Sequence, residues 1–183
     1  VFRKNKITVW YNHTIGQLDG VMYYLLMNIF YLDKHSGLAA QALCDQHCVK
    51  MALESAQILC SAYEPDTAPY KRTHYNHPCS VWARASKQNY LWLCQYGIHI
   101  AQEYTIRYGK THKSGSVILW CKENVDKLDL PDKPFTEPPL CMPDQYWSDD
   151  TAASYRAYYI GEKSHFAKWN KCRHAPNWWP YKS

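Results

Sequence analysis

Three polar residues share one face of a predicted helix and could carry acid–base or amine chemistry. At about 100° per residue, His47, Lys50 and Glu54 fall on an arc that adjoins the apolar stripe of that helix. Polar groups at the edge of a buried stripe can face a cleft, where burial and nearby charges shift their proton affinities usefully. The alternative is an ordinary helical ion pair between Lys50 and Glu54, which contributes only a few tenths of a kcal/mol.

A second set of residues mixes cations with aromatic rings between positions 67 and 116. This stretch holds seven Lys and Arg residues and a single acid, Glu103. Clustered cations bind polyanions by releasing counterions from phosphates, and aromatic rings can stack on exposed bases. The candidate DNA contacts are Lys71, Arg72, Arg84, Lys87, Arg107, Lys110 and Lys113. The alternative is a solvated basic face, with many of the rings buried in the core.

Nine histidines suggest a metal site, but their spacing does not support one. His74 and His77 lie in a loop before Pro78, and no carboxylate or cysteine completes a recognised ligand set. The eight cysteines contain no C-x-x-C pair, and reduced thiols are the simplest interpretation. The sequence also lacks a glycine-rich phosphate loop. We therefore expect neither a metal nor a cofactor.

The composition limits the fold that must position these side chains. A chain of 183 residues with 46% apolar residues suits one domain with a buried core, and excludes a disordered or fibrous protein. The longest apolar stretch, residues 21–32, is too short to span a membrane. We predict a mainly α fold, a single compact helical domain with long loops rich in proline and aromatic residues.

Three long helices are predicted. Residues 36–63 are rich in helix-forming residues and form the first, which carries the polar face. The second begins at Pro78, a residue suited to a first helical turn, and continues to Tyr108, where Gly109 stops it. Within it, Gly97 indicates a kink or a close helix crossing.

The C-terminal third of the chain is predicted to contain one loop and one helix. Five prolines in residues 131–143 exclude a regular helix and predict an ordered loop that straps across the domain. Asp149 or Asp150 can then cap the third helix, which would continue to about Asn170.

Residues 1–26 differ from the rest of the chain in having no cysteine and weak periodicity. We hypothesise that the native chain starts at Met27 or Met22 and that the preceding residues are a non-native upstream extension. Residues 27–183 would then form the helical domain. The alternative is an ordinary N-terminal extension that packs on the domain.

Several motifs resemble a known family. Asp45, Gln46 and His47, followed seven residues later by Glu54, resemble the helix motif of the phage pyrimidine dimer DNA glycosylases, the endonuclease V family. Residues 158–163 (YYIGEK) resemble the closing segment of that family. A group of phage-encoded relatives is still more similar, at residues 27–30, 47–51, 77–82, 103–104 and 107–110.

The resemblance implies a chemistry and a set of roles. An amine attacks C1′ of the sugar to give an imine, and a glutamate assists strand cleavage by β-elimination. Glu54 would be the acid/base, His47 a positioning group, and an α-amine or Lys50 the nucleophile. An α-amine has an ordinary pKa of about 7.7 to 8.0 and is far less protonated at neutral pH than a lysine. Lys50 would need burial to lower its pKa to that of an α-amine.

The resemblance therefore predicts a DNA N-glycosylase with AP-lyase activity on a damaged or modified pyrimidine. Its partner would be double-stranded DNA with a flipped or damaged base, and we expect a monomer without membrane association in the cytoplasm of an infected bacterial host. Two family arginines correspond to Leu53 and Gln57, which favours the alternative of a non-catalytic, nucleic-acid-binding phage accessory protein. A metal-dependent nuclease that uses His74, His77 and His112 is a further alternative.

Overall fold

Six α-helices and no β-strand occur among residues 27–181, the part of the chain that the computed structural model describes. The expectation for residues 1–26 lies outside this part. The helices are α1 (Ser36–Ala42), α2 (Asp45–Cys60), α3 (Pro78–Arg84), α4 (Lys87–Tyr108), α5 (Lys113–Glu123) and α6 (Thr151–Lys163), with 3-10 helices at Val125–Lys127 and Asp144–Tyr146. The predicted mainly α, single-domain fold is confirmed. Within the same residues, no helix has the length and apolar character needed to cross a membrane.

Helix α4 is the centre of the domain and packs against α1, α2, α3 and α5. A side chain at Gly97 would place its Cβ 2.8 Å from Cδ1 of Ile118 on α5 and 3.2 Å from Cβ of Ser55 on α2. Glycine is therefore required at the point where three helices meet. The close helix crossing predicted at Gly97 is confirmed.

The first predicted helix is interrupted, and the prediction of one continuous helix over residues 36–63 is wrong. Leu43 and Cys44 adopt extended backbone conformations between α1 and α2. Tertiary contacts replace the lost helical hydrogen bonds: Cys44 N–H donates to the Tyr159 hydroxyl at 2.9 Å, and Arg107 donates to the carbonyl of Leu43 at 2.7 Å. Because these partners are distant in sequence, local helix propensity does not reveal the break.

The second predicted helix is also divided, into α3 and α4. Its start at Pro78 and its end at Gly109, which has a φ of 64°, are confirmed. Ser86 begins α4 as an N-cap, because its hydroxyl accepts a hydrogen bond of 3.0 Å from the N–H of Asn89. An N-cap signal inside a long helical pattern therefore marks a new helix.

The last helix is shorter than predicted, and one further helix was missed. Asp150 caps α6 through a hydrogen bond of 2.9 Å from the N–H of Ala153, as predicted, but the helix ends at Lys163 and not near Asn170. The following chain crosses the α1–α2 break, where Lys168 O accepts from the N–H of Asp45 at 2.8 Å. Helix α5, capped by His112, was predicted only as a short apolar stretch.

The proline-rich segment, residues 131–143, straps across α3 and the start of α4 as predicted. The N–H of Thr136 donates to the side-chain oxygen of Asn89 at 2.9 Å, and its carbonyl accepts from the indole of Trp82 at 2.9 Å. These contacts explain how an irregular segment remains ordered, since its polar backbone groups have partners on the helices.

Candidate active site

A small open hollow forms where residues 27–30 meet α2 and the end of α6. Its volume is about 50 Å³, which is room for only a few water molecules. It is lined by Met27, Asn28, Phe30, His47, Lys50, Glu54, Tyr158 and Lys163. Spacings of three and four residues along α2 place His47, Lys50 and Glu54 on successive turns of one face. The structure thus brings the three predicted catalytic residues together.

Glu54 is buried in the wall of this hollow and is only 5% exposed. Its Oε1 lies 3.1 Å from Nζ of Lys50, and its Oε2 accepts a hydrogen bond of 3.0 Å from the backbone N–H of Asn28. Burial raises the pKa of Glu54, and the hydrogen bond from Asn28 and the charge of Lys50 partly offset this rise. A carboxyl group in this setting can take up and release a proton closer to neutral pH than an exposed one.

Two lysine ammonium groups face the hollow, and they differ in burial. The side chain of Lys50 is 58% exposed, so it lacks the burial that an internal nucleophile requires. Lys163, at the end of α6, is half-buried and donates a hydrogen bond of 3.2 Å to the Tyr158 hydroxyl. Burial lowers the pKa of Lys163, and the nearby charge of Lys50 lowers it further, against the opposing charge of Glu162. Sequence reasoning noted Lys163 only within the YYIGEK motif and gave it no role.

His47 is held as a neutral ring beneath the hollow. Its ring stacks on Phe30 with 4.5 Å between centroids, and its Nδ1 lies 2.8 Å from the Tyr159 hydroxyl oxygen. Because that hydroxyl accepts from the N–H of Cys44, its own proton can be donated to Nδ1, which leaves the imidazole proton on Nε2. Burial, together with nearby ammonium charge, lowers the pKa of His47 to about 3. Its surroundings suit a positioning group and not an acid.

The side chain of Asn28 is held by two hydrogen bonds that position its backbone N–H for Glu54. Its side-chain nitrogen donates to the carbonyl of Cys141 at 3.0 Å, and its side-chain oxygen accepts from the Tyr155 hydroxyl at 3.0 Å. With both ends of its amide held, the backbone N–H of Asn28 stays directed at Glu54. Sequence reasoning missed this role, although Asn28 stood in a motif shared with the phage-encoded relatives.

The predicted DNA contacts divide into exposed cations and cations that are engaged within the protein. Lys71, Lys110 and Lys113 are exposed. Lys87 forms an ion pair with Asp126, with 2.6 Å between Nζ and Oδ1. An exposed ion pair of this kind is weak, so Lys87 can exchange its partner for a phosphate at little cost.

Arg72 and Arg84 lie against the ring of Tyr75, with their guanidinium carbons 4.6 Å and 3.6 Å from its centroid. Arg84 also donates to the carbonyl of Tyr75 at 2.9 Å, and Arg72 donates to the carbonyl of Tyr63. Both side chains are partly buried. The two arginines therefore order the loop between α2 and α3 as well as adding positive charge to it.

Arg107 does not occupy the position predicted for a phosphate contact, because none of its side chain is exposed. Its guanidinium donates to Oε2 of Glu103 at 3.2 Å, to the carbonyl of Leu43 at 2.7 Å and to the carbonyl of Gln41 at 2.9 Å. It also pairs with Asp45 at 3.3 Å. Arg107 thus satisfies carbonyls freed at the α1–α2 break and is a structural residue.

Among residues 27–181, the metal-ligand trio of the nuclease alternative is not assembled. His112 caps α5 through Nδ1, and its Nε2 lies 3.0 Å from the carbonyl of Val49. Within the same range, the one group of three ligand atoms close enough to hold a metal ion comes from His77, Cys79 and Cys141. None of these three residues lines the hollow.

Part of the chain matches the model of a known protein family. The family model described as pyrimidine dimer DNA glycosylase matches residues 27–115. The matched segment contains His47, Lys50, Glu54 and the Asn28 that contacts Glu54. Searches of curated proteins and of solved structures found no significant match. Residues 27–115 are thus similar to the pyrimidine dimer DNA glycosylase family.

Proposed function

We propose that the chain is a phage-type DNA N-glycosylase with AP-lyase activity, which acts as a monomer on damaged pyrimidines in double-stranded DNA. The observation that carries the proposal is the 3.0 Å hydrogen bond from the backbone nitrogen of Asn28 to Glu54. It places a nitrogen of the main chain beside a buried carboxylate at an open hollow. The match of residues 27–115 to the pyrimidine dimer DNA glycosylase model supports DNA as the substrate.

The nucleophile in this proposal is the α-amine of a chain that begins at Met27. Met27 lines the same hollow as Glu54, so an α-amine at this residue would lie next to the carboxylate. An α-amine is unprotonated to a useful extent at neutral pH, and two neighbouring ammonium groups, Lys50 and Lys163, would favour its neutral form further. Lys163 is the internal amine that would replace it in a longer chain.

The proposed chemistry uses Glu54 in the elimination step. The neutral amine attacks C1′ as the bond from C1′ to the pyrimidine nitrogen breaks, and the base departs with the bonding electron pair and takes up a proton from solvent. The bound amine loses one proton, the bond from C1′ to the ring oxygen O4′ then breaks, and O4′ takes up a proton to leave a protonated imine. The Glu54 carboxylate then removes a proton from C2′, and β-elimination expels the 3′-phosphate. Burial raises the pKa of Glu54, which favours proton uptake in this step.

The hollow is where the target sugar would have to meet Glu54. Because C1′ and C2′ of that sugar lie within a regular duplex, we infer that the duplex is kinked or the nucleotide displaced to bring them to the carboxylate. The exposed lysines Lys71, Lys110 and Lys113 are the proposed phosphate contacts.

Borohydride trapping tests the proposal. A protein that begins at Met27 is incubated with duplexes that carry a pyrimidine dimer or an abasic site, and the imine is reduced to a stable adduct. We expect an adduct with both duplexes, which peptide mapping assigns to the terminal amine, and we expect it to persist in Lys163→Met. Mapping of the adduct to Lys163 would overturn the α-amine, and absence of any adduct with either duplex would overturn the function.

One observation favours a non-catalytic alternative. Leu53, at a position where the resemblance implies an arginine, is 41% exposed. An apolar residue at this position removes a phosphate contact from the site. The alternative predicts salt-dependent DNA binding with no trapped adduct on the abasic duplex, and the same experiment therefore separates the two functions.

A further inference from the structure

Three potential metal ligands meet behind residues 27–30. The ligand atoms of His77, Cys79 and Cys141 lie within 4.8 Å of one another. The two sulfur atoms are 3.6 Å apart, and both cysteines are buried. His77 precedes α3, Cys79 lies in its first turn, and Cys141 comes from the proline-rich segment.

The separation of the two sulfur atoms fits tetrahedral zinc. Zn–S bonds of about 2.3 Å at a tetrahedral angle require a sulfur-to-sulfur distance of roughly 3.8 Å, which is close to the distance between Cys79 and Cys141. The imidazole also lies against Cys79. Its Nδ1 accepts a hydrogen bond of 3.2 Å from the backbone N–H of Cys79, and binding of an ion by Nδ1 would replace this hydrogen bond.

A second cysteine pair shows why the imidazole matters. The sulfur atoms of Cys60 and Cys121 are also 3.6 Å apart and also buried. Among the described residues, no third ligand atom accompanies this pair. Two buried thiols therefore lie close together at two places in the core. Within the described residues, an imidazole joins the thiols only at Cys79 and Cys141.

We propose that His77, Cys79 and Cys141 bind one Zn²⁺ ion, with water in the fourth position. Two sulfur ligands and one imidazole favour zinc over Mg²⁺ or Ca²⁺, which prefer oxygen ligands. Both thiols release their protons to solvent as the ion binds. Since His77 is only partly buried, the fourth position is within reach of solvent.

The ion would act on the fold and not in the reaction. It would join α3 to the proline-rich segment directly beneath Asn28, whose side chain donates to the carbonyl of Cys141 at 3.0 Å. Asn28 in turn directs its backbone N–H at Glu54. The proposed zinc site therefore anchors the layer that supports the hollow, and it does not depend on the function proposed above.

Metal content and cobalt spectroscopy test the site in the full chain. We expect about one Zn²⁺ per chain after purification and dialysis. Replacement by Co²⁺ should give a thiolate-to-cobalt charge-transfer band and intense tetrahedral d–d bands. Cys79→Ser and Cys141→Ser should each abolish both signals, whereas Cys60→Ser, from the matched pair without an imidazole, should retain them.

His77→Asn separates binding of the ion from folding. Asparagine can still cap α3 by accepting the N–H of Cys79, but it removes the imidazole ligand. We expect this variant to keep its helical circular dichroism and to lose at least tenfold in affinity for Co²⁺. Equal metal content in the wild type, Cys79→Ser and His77→Asn would overturn the proposal, as would a wild type that binds neither ion at micromolar concentrations.

Discussion

The backbone N–H of Asn28 and the carboxylate of Glu54 are joined by a hydrogen bond of 3.0 Å, although 26 positions separate them in sequence. The other carboxylate oxygen lies 3.1 Å from Nζ of Lys50. Each oxygen therefore has one partner, and these two contacts hold the carboxylate in the wall of the hollow. This arrangement makes Glu54 the residue whose replacement is most informative.

Glu54→Gln should abolish strand cleavage while preserving the fold. Glutamine keeps an oxygen that can accept from Asn28 but cannot remove a proton from C2′, and loss of a general base typically costs about 10²- to 10⁴-fold in rate. Single-turnover cleavage of an abasic duplex measures the effect.

The matched control for this variant is Glu123→Gln, which makes the same change at an exposed residue at the end of α5. It should leave the cleavage rate of the wild type unchanged. Unimpaired cleavage by Glu54→Gln, with folding and DNA affinity intact, would remove Glu54 from the mechanism.

Arg107 and Lys110 are three residues apart, but their substitution should have opposite consequences. Arg107→Gln should destabilise the fold by about 3 kcal/mol, because Glu103 and the carbonyls of the α1–α2 break lose a buried partner. It should leave the salt dependence of DNA binding unchanged in the protein that remains folded.

Lys110→Gln should do the reverse. Its side chain is exposed, so stability should change by less than about 0.5 kcal/mol, while the slope of log K against log salt falls by about one. Urea unfolding and salt-titrated binding measure the two quantities. A reduced slope for Arg107→Gln would contradict its structural assignment.

The sequence predicts well which polar residues of α2 line the hollow, because His47, Lys50 and Glu54 lie within one helix and their relative directions follow from helical geometry alone. It does not predict Lys163 or Asn28 as site residues. Both reach the hollow from other segments, through contacts with residues far away in the chain. Arg107 is a second example, because an arginine near a helix end is expected to be exposed. Its burial follows from hydrogen bonds to the carbonyls of Leu43 and Gln41, which the sequence does not reveal.

Gly97→Ala should destabilise the fold by about 1 to 3 kcal/mol, because the added methyl group would overpack the junction of α2, α4 and α5. The intrinsic preference of alanine for helices opposes this cost by up to about 1 kcal/mol. Denaturant unfolding measures the net effect. The matched control is Gln102→Ala on the exposed face of α4, which should change stability by less than about 0.5 kcal/mol. A stabilised Gly97→Ala would mean that the helices do not cross this closely.

The fold should lose stability as the pH falls, because His47 takes up a proton in the unfolded chain before it does so in the folded state. The folded state lowers the pKa of His47 to about 3, compared with an ordinary value of about 6.5 in the unfolded chain. Below about pH 6.5 the unfolded state therefore binds a proton that the folded state does not. The stability that comes from keeping His47 neutral is fully present above that pH. The free energy of unfolding then decreases by roughly 2 kcal/mol by about pH 5.

His47→Gln isolates this contribution. Glutamine loses the stacking on Phe30 at every pH, so the variant is less stable throughout, but its stability should fall less steeply than that of the wild type between about pH 7 and pH 5. Other groups, including Glu54, whose pKa is raised by burial, titrate in both proteins and cancel to first order in the comparison. His165→Gln, which replaces an exposed histidine, should keep the wild-type slope. Parallel pH profiles for the wild type and His47→Gln would show that the imidazole is not held neutral beneath the hollow.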